Sequence, residues 1–227
     1  MRIKFESQLE TLNNSIIEMG ALVEESIGDA TEALLNMDIV LAQKNVDFDK
    51  EIDQKMKEIE SLCLKLLLSQ QPVARDLRLI SASLKMVSDL ERIGDQCADI
   101  SEIVLTMSKD AKIVQLDAIP PMSAATIKMV SQSVDAFVRR DLTLAHRVCD
   151  SDDEVDSLFV SAKKELVNAI ERNSSNAESV IDFVMVAKYL ERIGDHAVNV
   201  AKWVIFSITG NHGGVSLLSG AEEITDK

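Results

Sequence analysis

Basic residues are in short supply: 24 Lys and Arg stand against 38 Asp and Glu, a formal net charge of -14 at pH 7. Without a cationic surplus to neutralise phosphates, a nucleic-acid binder is disfavoured. Cation binding, or basic protein partners, agrees better with the balance. Cysteine is equally sparse. Cys63, Cys97 and Cys149 stand far apart with no CxxC pair, so neither a disulfide framework nor a zinc knuckle is indicated, and a reducing cytoplasm is the expected compartment. No run approaches the ~18 apolar residues of a membrane span. Met1-Arg2-Ile3-Lys4-Phe5 leads straight into an amphipathic pattern rather than a signal core, so neither membrane insertion nor export is expected. Also missing are a nucleophile elbow, a P-loop, HExxH and the ExxH pair of di-iron bundles, which disfavours an enzyme.

Glycine (eight), proline (three) and aromatics (4%) are few as well. What remains is rich in Ala, Leu, Ile, Val, Met, Glu and Lys, a helix-forming mixture. At 227 residues the chain can form one domain or two small ones with a sizeable core. From Phe5 the apolar positions Leu9, Leu12, Ile16, Met19, Val23, Ile27, Ala30, Leu34 and Met37 keep helical period, which predicts one long helix. Asp38 is an N-cap type, and Leu41, Phe48, Ile52, Met56, Ile59, Leu62, Leu66 and Leu67 carry a second helix to about Ser69. Pro72 suits the first turn of a third helix, which runs to about Ser108.

The pattern lapses over 109–120 and restarts at Pro120-Pro121, so this is the boundary between halves. A fourth helix extends to about Arg140, and Asp141-Leu142-Thr143-Leu144-Ala145 echoes Asp38-Ile39-Val40-Leu41-Ala42 to open a fifth, ending near Arg172. Ser175 and Glu178 are spaced as a capping box for a sixth, continuing to about Thr209. The expectation is therefore all-α: six helices in two tandem, repeat-related antiparallel three-helix bundles. Their predicted bounds are 1–108 and 121–210, joined by a linker over 109–120 and followed by a frayed or disordered tail over 211–227.

The duplication is sharpest at Leu90-Glu91-Arg92-Ile93-Gly94-Asp95, which returns as Leu190-Glu191-Arg192-Ile193-Gly194-Asp195. Residues four apart share a helix face, so each copy presents a carboxylate pair. Glu91 falls in the seam Leu77, Ile80, Leu84, Val87, Gly94 and Ala98, and Glu191 in the seam Ala177, Val180, Val184, Ala187, Gly194 and Val198. An ionised carboxylate inside a helix interface costs several kcal/mol, roughly, unless something compensates. The compensation is a bound cation, an arginine such as Arg92 or Arg192, or protonation through a raised pKa. A mid-helix glycine costs about 1 kcal/mol relative to Ala and is tolerable where a ligand or backbone must come close.

A second pair of acids recurs: Asp49 and Asp53 match Asp152 and Asp156, near the start of each bundle's middle helix. In an antiparallel bundle they can face Glu91, Asp95 and Asp99 in the first half, and Glu191 and Asp195 in the second. Asn199 replaces Asp99, keeping an oxygen but losing a charge. Such oxygen-rich sites suit Mg²⁺, Mn²⁺ or iron better than structural zinc. Taken alone, the four paired aspartates are better explained as solvated surface charge; Glu91 and Glu191, in the seam, are not. His196 reads as a polar helix residue rather than a ligand. Arg75-Asp76-Leu77-Arg78 has no copy in the second half and is equally well explained by first-turn salt bridging or by contact with a partner protein.

Two repeats each bearing the E-R-I-G-D box, the DxxxD pairs, and Pro72-Val73-Ala74-Arg75-Asp76-Leu77-Arg78 before the first box resemble the PhoU family over residues 1 to about 210. The resemblance implies a cytoplasmic regulator that represses phosphate uptake and the phosphate-starvation response. Its implied partners are the ATPase subunit of the phosphate ABC transporter, a phosphate-sensing histidine kinase, and a second copy of itself as a homodimer. It also implies multinuclear metal on the acid motifs, here Asp49, Asp53, Glu91, Asp95, Asp99, Asp152, Asp156, Glu191 and Asp195. The metal is a divalent ion, with iron, manganese, magnesium and zinc all open, and Asn199 puts the second site's full nuclearity in question. The rival expectation is a carboxylate-bridged metal-dependent enzyme or a metal-storage bundle.

Overall fold

The long apolar periodicities become long rods in the computed structural model, which describes residues 2–69, 73–107, 116–172, 177–212 and 215–216. α1 (Arg2–Asn36), α2 (Ile39–Ser69) and α3 (Ala74–Thr106) form the first antiparallel bundle. α4 (Ile119–Arg139), α5 (Leu142–Asp150), α6 (Asp152–Arg172) and α7 (Ala177–Thr209) form the second. On α1 the buried face is Leu12, Ile16, Met19, Val23, Ile27, Ala30 and Leu34, spaced by three and four. Each large side chain so buried contributes ~1.5–3 kcal/mol relative to leaving it in water.

Helix ends follow local chemistry. Asp38 Oδ1 accepts from Val40 N at 2.9 Å and Leu41 N at 3.0 Å, and Asp141 Oδ1 accepts from Leu144 N at 2.9 Å. These are the side-chain caps that the repeated Asp predicts. The residue before each aspartate, Met37 or Arg140, turns the chain in the left-handed region at φ 50° and φ 54°. Helix α4 starts at Ile119, with the two prolines at its first turn, and Val73 precedes α3 without a side-chain cap. Pro72 and Ser175 lie outside the described residues. The predicted fifth helix is interrupted for one residue at Ser151, where Ser151 Oγ donates to Arg147 O at 2.8 Å. Glu154 N closes back onto Ser151 O at 3.2 Å, a tighter i→i−3 turn, so α5 and α6 take the place of a single rod. After Gly210, β1 (Asn211–His212) pairs antiparallel with β2 (Val215–Ser216), where the sequence predicts frayed chain.

Within the first bundle α1, α2 and α3 are tied by polar contacts as well as by burial. Ser26 Oγ donates to Asn45 Oδ1 at 3.0 Å, and Asn45 Nδ2 donates to Ser101 Oγ at 3.0 Å. Between bundles, α3 lies antiparallel on α7 and α1 on α4; Gly20 of α1 packs on Val134, and Thr31 Oγ1 donates to Ser123 Oγ at 2.8 Å. Among the described residues no helix is long and apolar enough to cross a membrane.

Candidate functional site

The two boxes sit midway along α3 and α7, each against the N-terminal half of its bundle's middle rod. The glycines set the distance. A Cβ at position 94 would stand 3.2 Å from Asp49 Oδ1 and 3.0 Å from Ile52 Cδ1; one at position 194 would stand 3.3 Å from Asp152 Oδ1 and 3.4 Å from Val155 Cγ1. At both positions a Cβ would crowd the leading aspartate of the DxxxD pair, more tightly at 94 than at 194.

This contact gathers the predicted acids. Burial pushes the Asp49 carboxyl up from 3.8 to about 6, and Asp95, Asp53 and Asp99 add to the rise. Glu91 is raised by burial, then by Asp95, Asp53 and Asp49, against a smaller opposing effect of Arg92. Asp95 is raised by burial and by Asp53 and Asp99. In the second bundle burial lifts Asp152 to about 6, with Asp195, Asp156 and Glu191 adding to it, and Asp195 is raised by burial and Glu191. All nine predicted acids thus fall into two electrostatically linked rows, each spanning a middle rod and its box helix.

Their seating differs from the expected one. Leu77 is 43% exposed and Val184 37% exposed, so neither lies in a buried seam. The buried face of α3 runs through Ile80, Val87, Leu90, Ile93, Gly94, Cys97 and Ile100, and Glu91 stands half-buried at its margin. The reason is that α1, α2 and α7 all pack on α3, and the arc they jointly bury is centred on Leu90, Gly94 and Cys97 rather than on the line through Leu77, Leu84 and Glu91. Among the described residues no three carboxylate, imidazole or thiol groups are already drawn together around one ion. The chemistry nevertheless fits a hard cation: Asp49 Oδ1 is buried with no hydrogen-bond partner, and its neighbours are oxygen donors in mutual repulsion.

The rows are not equivalent. In the first, Asp53 pairs with Lys57 at 3.3 Å. In the second, Lys188 forms a tight ion pair with Glu191, and Lys202 acts on Asp152 in the lowering sense. One hundred residues earlier the corresponding positions are Ser88 and Glu102. Laying the repeats over each other at the box offset exposes this difference from sequence, whereas a comparison of the acids alone does not show the two lysines.

Three neighbours of the boxes belong to the contact between bundles instead. His196 Nδ1 hydrogen-bonds Asp89 Oδ1 at 2.9 Å, with both side chains buried, and Asn199 Nδ2 donates to the same oxygen at 3.4 Å. At the pseudo-symmetric place Tyr189 donates to Asp99, which is raised by burial and by Glu102. Asp99 therefore borders both its acid row and α7, while Asn199 is turned to α3.

The PhoU domain model matches this chain twice, over residues 16–104 and 119–204, once per bundle. A phosphate-specific transport system accessory protein PhoU homolog of Clostridium acetobutylicum is 39% identical over 207 residues, covering 91% of this chain and 94% of that protein. The crystal structure of PhoU from Pseudomonas aeruginosa superposes with a TM-score of 0.85 at 34% identity, covering 91% of this chain and all of that one. The phosphate transport system regulatory protein PhoU of Streptococcus pneumoniae gives 0.84 at 25% identity, over 93% of this chain and all of that one. With both repeats matched, the box glycines accounted for and close relatives along nine-tenths of its length, this chain belongs to the PhoU family.

Proposed function

We propose that the chain is a negative regulator of phosphate uptake and phosphate-starvation signalling. It works as a homodimeric, metal-binding cytoplasmic adaptor between the ATPase subunit of the phosphate ABC transporter and a phosphate-sensing histidine kinase, and it turns over no substrate. One observation carries the reading: in a chain related to accessory proteins of phosphate transport, both box glycines hold an aspartate raised to about 6 against a row of further acids. That is a costly arrangement for stability alone, and divalent cations would offset it.

Asp49, Asp53, Glu91, Asp95 and Asp99 would hold the metal of the first bundle, and Asp152, Asp156, Glu191 and Asp195 that of the second. Bound there, a cation supplies charge neutralisation across the contact between middle rod and box helix. The residues themselves position the two rods: Gly94 and Gly194 set the approach, and the aspartate pairs define which face of each bundle is stiffened. Lys188 and Lys202 already compensate part of the second row, so the first is expected to retain metal against a stronger chelator than the second does.

The test combines metal analysis of untagged protein with capture of the kinase and the transporter ATPase, and with a starvation reporter in cells lacking the native gene. Wild type should carry metal, capture both partners and silence the reporter in high phosphate; Glu91→Gln/Glu191→Gln should lose metal and derepress it. Phosphatase or oxidase turnover abolished by the same pair of substitutions, with neither partner captured, would instead favour a metal-dependent enzyme.

A further inference from the structure

In a chain with 14 more acids than bases, three arginines come within electrostatic reach of one another near the end of the molecule where α3 begins and α7 stops. Arg75 and Arg78 come from the first turns of α3, and Arg140 from the turn between α4 and α5. Their proximity is evident electrostatically: burial first, then Arg75 and Arg78, hold the Arg140 guanidinium below its ordinary value, and Asp76 acts in the opposite sense. Among the described residues none of the three has a carboxylate within ion-pair distance, whereas the adjacent Arg139 pairs with Asp135 at 3.2 Å.

Arg78 is held in place rather than waving in solvent. Gly210, at φ 81°, packs on its stem, where a Cβ would lie 3.6 Å from Arg78 Cδ, and among the described residues Arg78 Nε is buried without a hydrogen-bond partner. The N-terminus of α3 adds open donors: Val73 O takes the N–H groups of Asp76 and Leu77, but among the described residues no side chain caps those of Ala74 and Arg75. Repeat comparison marks the triad as a departure from the parent unit. The left-handed turn that carries Arg140 is shared with Met37, so backbone geometry does not explain an arginine there. At the box offset, Arg75 and Arg78 correspond to Ser175 and Glu178.

We infer that Arg75, Arg78 and Arg140, together with the uncapped first turn of α3, bind a small tetrahedral oxyanion bearing more than one charge, namely inorganic phosphate. Guanidinium forks match the edges of such an ion, and a helix N-terminus favours negative charge. A singly charged carboxylate would leave the mutual repulsion of three arginines largely uncompensated. The site lies apart from both acid rows and does not depend on their metal.

Isothermal titration of the full chain with inorganic phosphate, at fixed ionic strength and with chelator present so that no cation bridges phosphate to the acids, tests this directly. Arg140→Met and Arg75→Ser install the residues that the other repeat carries at those places. The expected result is one saturable phosphate per chain, displaced by sulfate but not by chloride, and at least tenfold weaker in the double variant at an unchanged melting temperature. Arg140→Lys, which keeps the charge but not the fork, should weaken binding by less than Arg140→Met. Absence of saturable binding, equal affinity in wild type and variants, or displacement by chloride overturns the site. Sedimentation with phosphatidylglycerol vesicles unaccompanied by binding of the free ion does so too, because it would reassign the arginines to a membrane surface.

Discussion

Replacing Asp49 by asparagine removes one charge from the first acid row while keeping its size, and the sign of the effect should depend on whether metal is present. In metal-free protein the carboxyl is displaced from 3.8 to about 6, equivalent to about 3 kcal/mol against the ionised form. Asp49 is only half-buried, and solvent screening reduces this to on the order of 1 kcal/mol. Between about pH 4 and pH 6 the folded state holds more protons than the unfolded one, so stability falls as pH rises through that window and stays low above it. In chelator at pH 7, Asp49→Asn should therefore raise the melting temperature by about 2–4 °C, the range for ~1 kcal/mol in a chain of this size. Acidification from pH 7 to 5 should stabilise the chelated wild type more than the variant. With saturating Mn²⁺ the order reverses, because the wild type gains binding energy that the variant lacks a ligand to collect. The assay is a set of melting curves over pH, with and without metal. Destabilisation by Asp49→Asn in chelator, or an equal metal-induced rise in both proteins, would refute the account of the acid row.

The two box glycines should respond differently to alanine. Gly94→Ala gains about 1 kcal/mol of helix propensity but drives a Cβ to 3.0 Å from fully buried Ile52 and 3.2 Å from Asp49, an overpacking cost of ~1–3 kcal/mol; Gly194→Ala has looser neighbours at 3.3 and 3.4 Å. Urea unfolding should rank Gly94→Ala below wild type and Gly194→Ala close to it, with metal retention lowered most at the first site. At the turns, Asp38→Ala and Asp141→Ala each remove a cap and should cost about 1 kcal/mol, checked by the same unfolding midpoints, while Asp141→Asn, which keeps an acceptor, should lose less.

Features set by local pattern were legible before any coordinates. Nine turns of apolar spacing specify α1, the repeated aspartates specify their turns, and a box repeated at a fixed offset specifies two like bundles. It also pairs the DxxxD segments with the boxes, because antiparallel neighbours joined by short turns leave little choice of register. What was hidden depends on how many neighbours a helix has. Apolar spacing puts Glu91 in the packing seam, but α3 touches three other rods, and the arc they bury leaves the glutamate at its edge. The partnership of Asp89 with His196 spans 107 residues and has no local signature. The break at Ser151 is one residue long, a tightened turn in which Glu154 N bonds Ser151 O, and the apolar periodicity runs straight through it. The arginine triad was half visible, since Arg75 and Arg78 stand together in sequence but Arg140 joins them only through the fold.

The antiparallel meeting of α3 and α7 also determines which halves can be assembled with which. Position 89 of one box helix lies against position 199 of the other, and position 99 against position 189. Two copies of the first half docked in this manner would press Asp89 onto Asp99, carboxylate to carboxylate. Two copies of the second would oppose Tyr189 to Asn199 and leave His196 without its acid. After duplication the two surfaces have drifted into a lock and key, so that each half discriminates against its own twin.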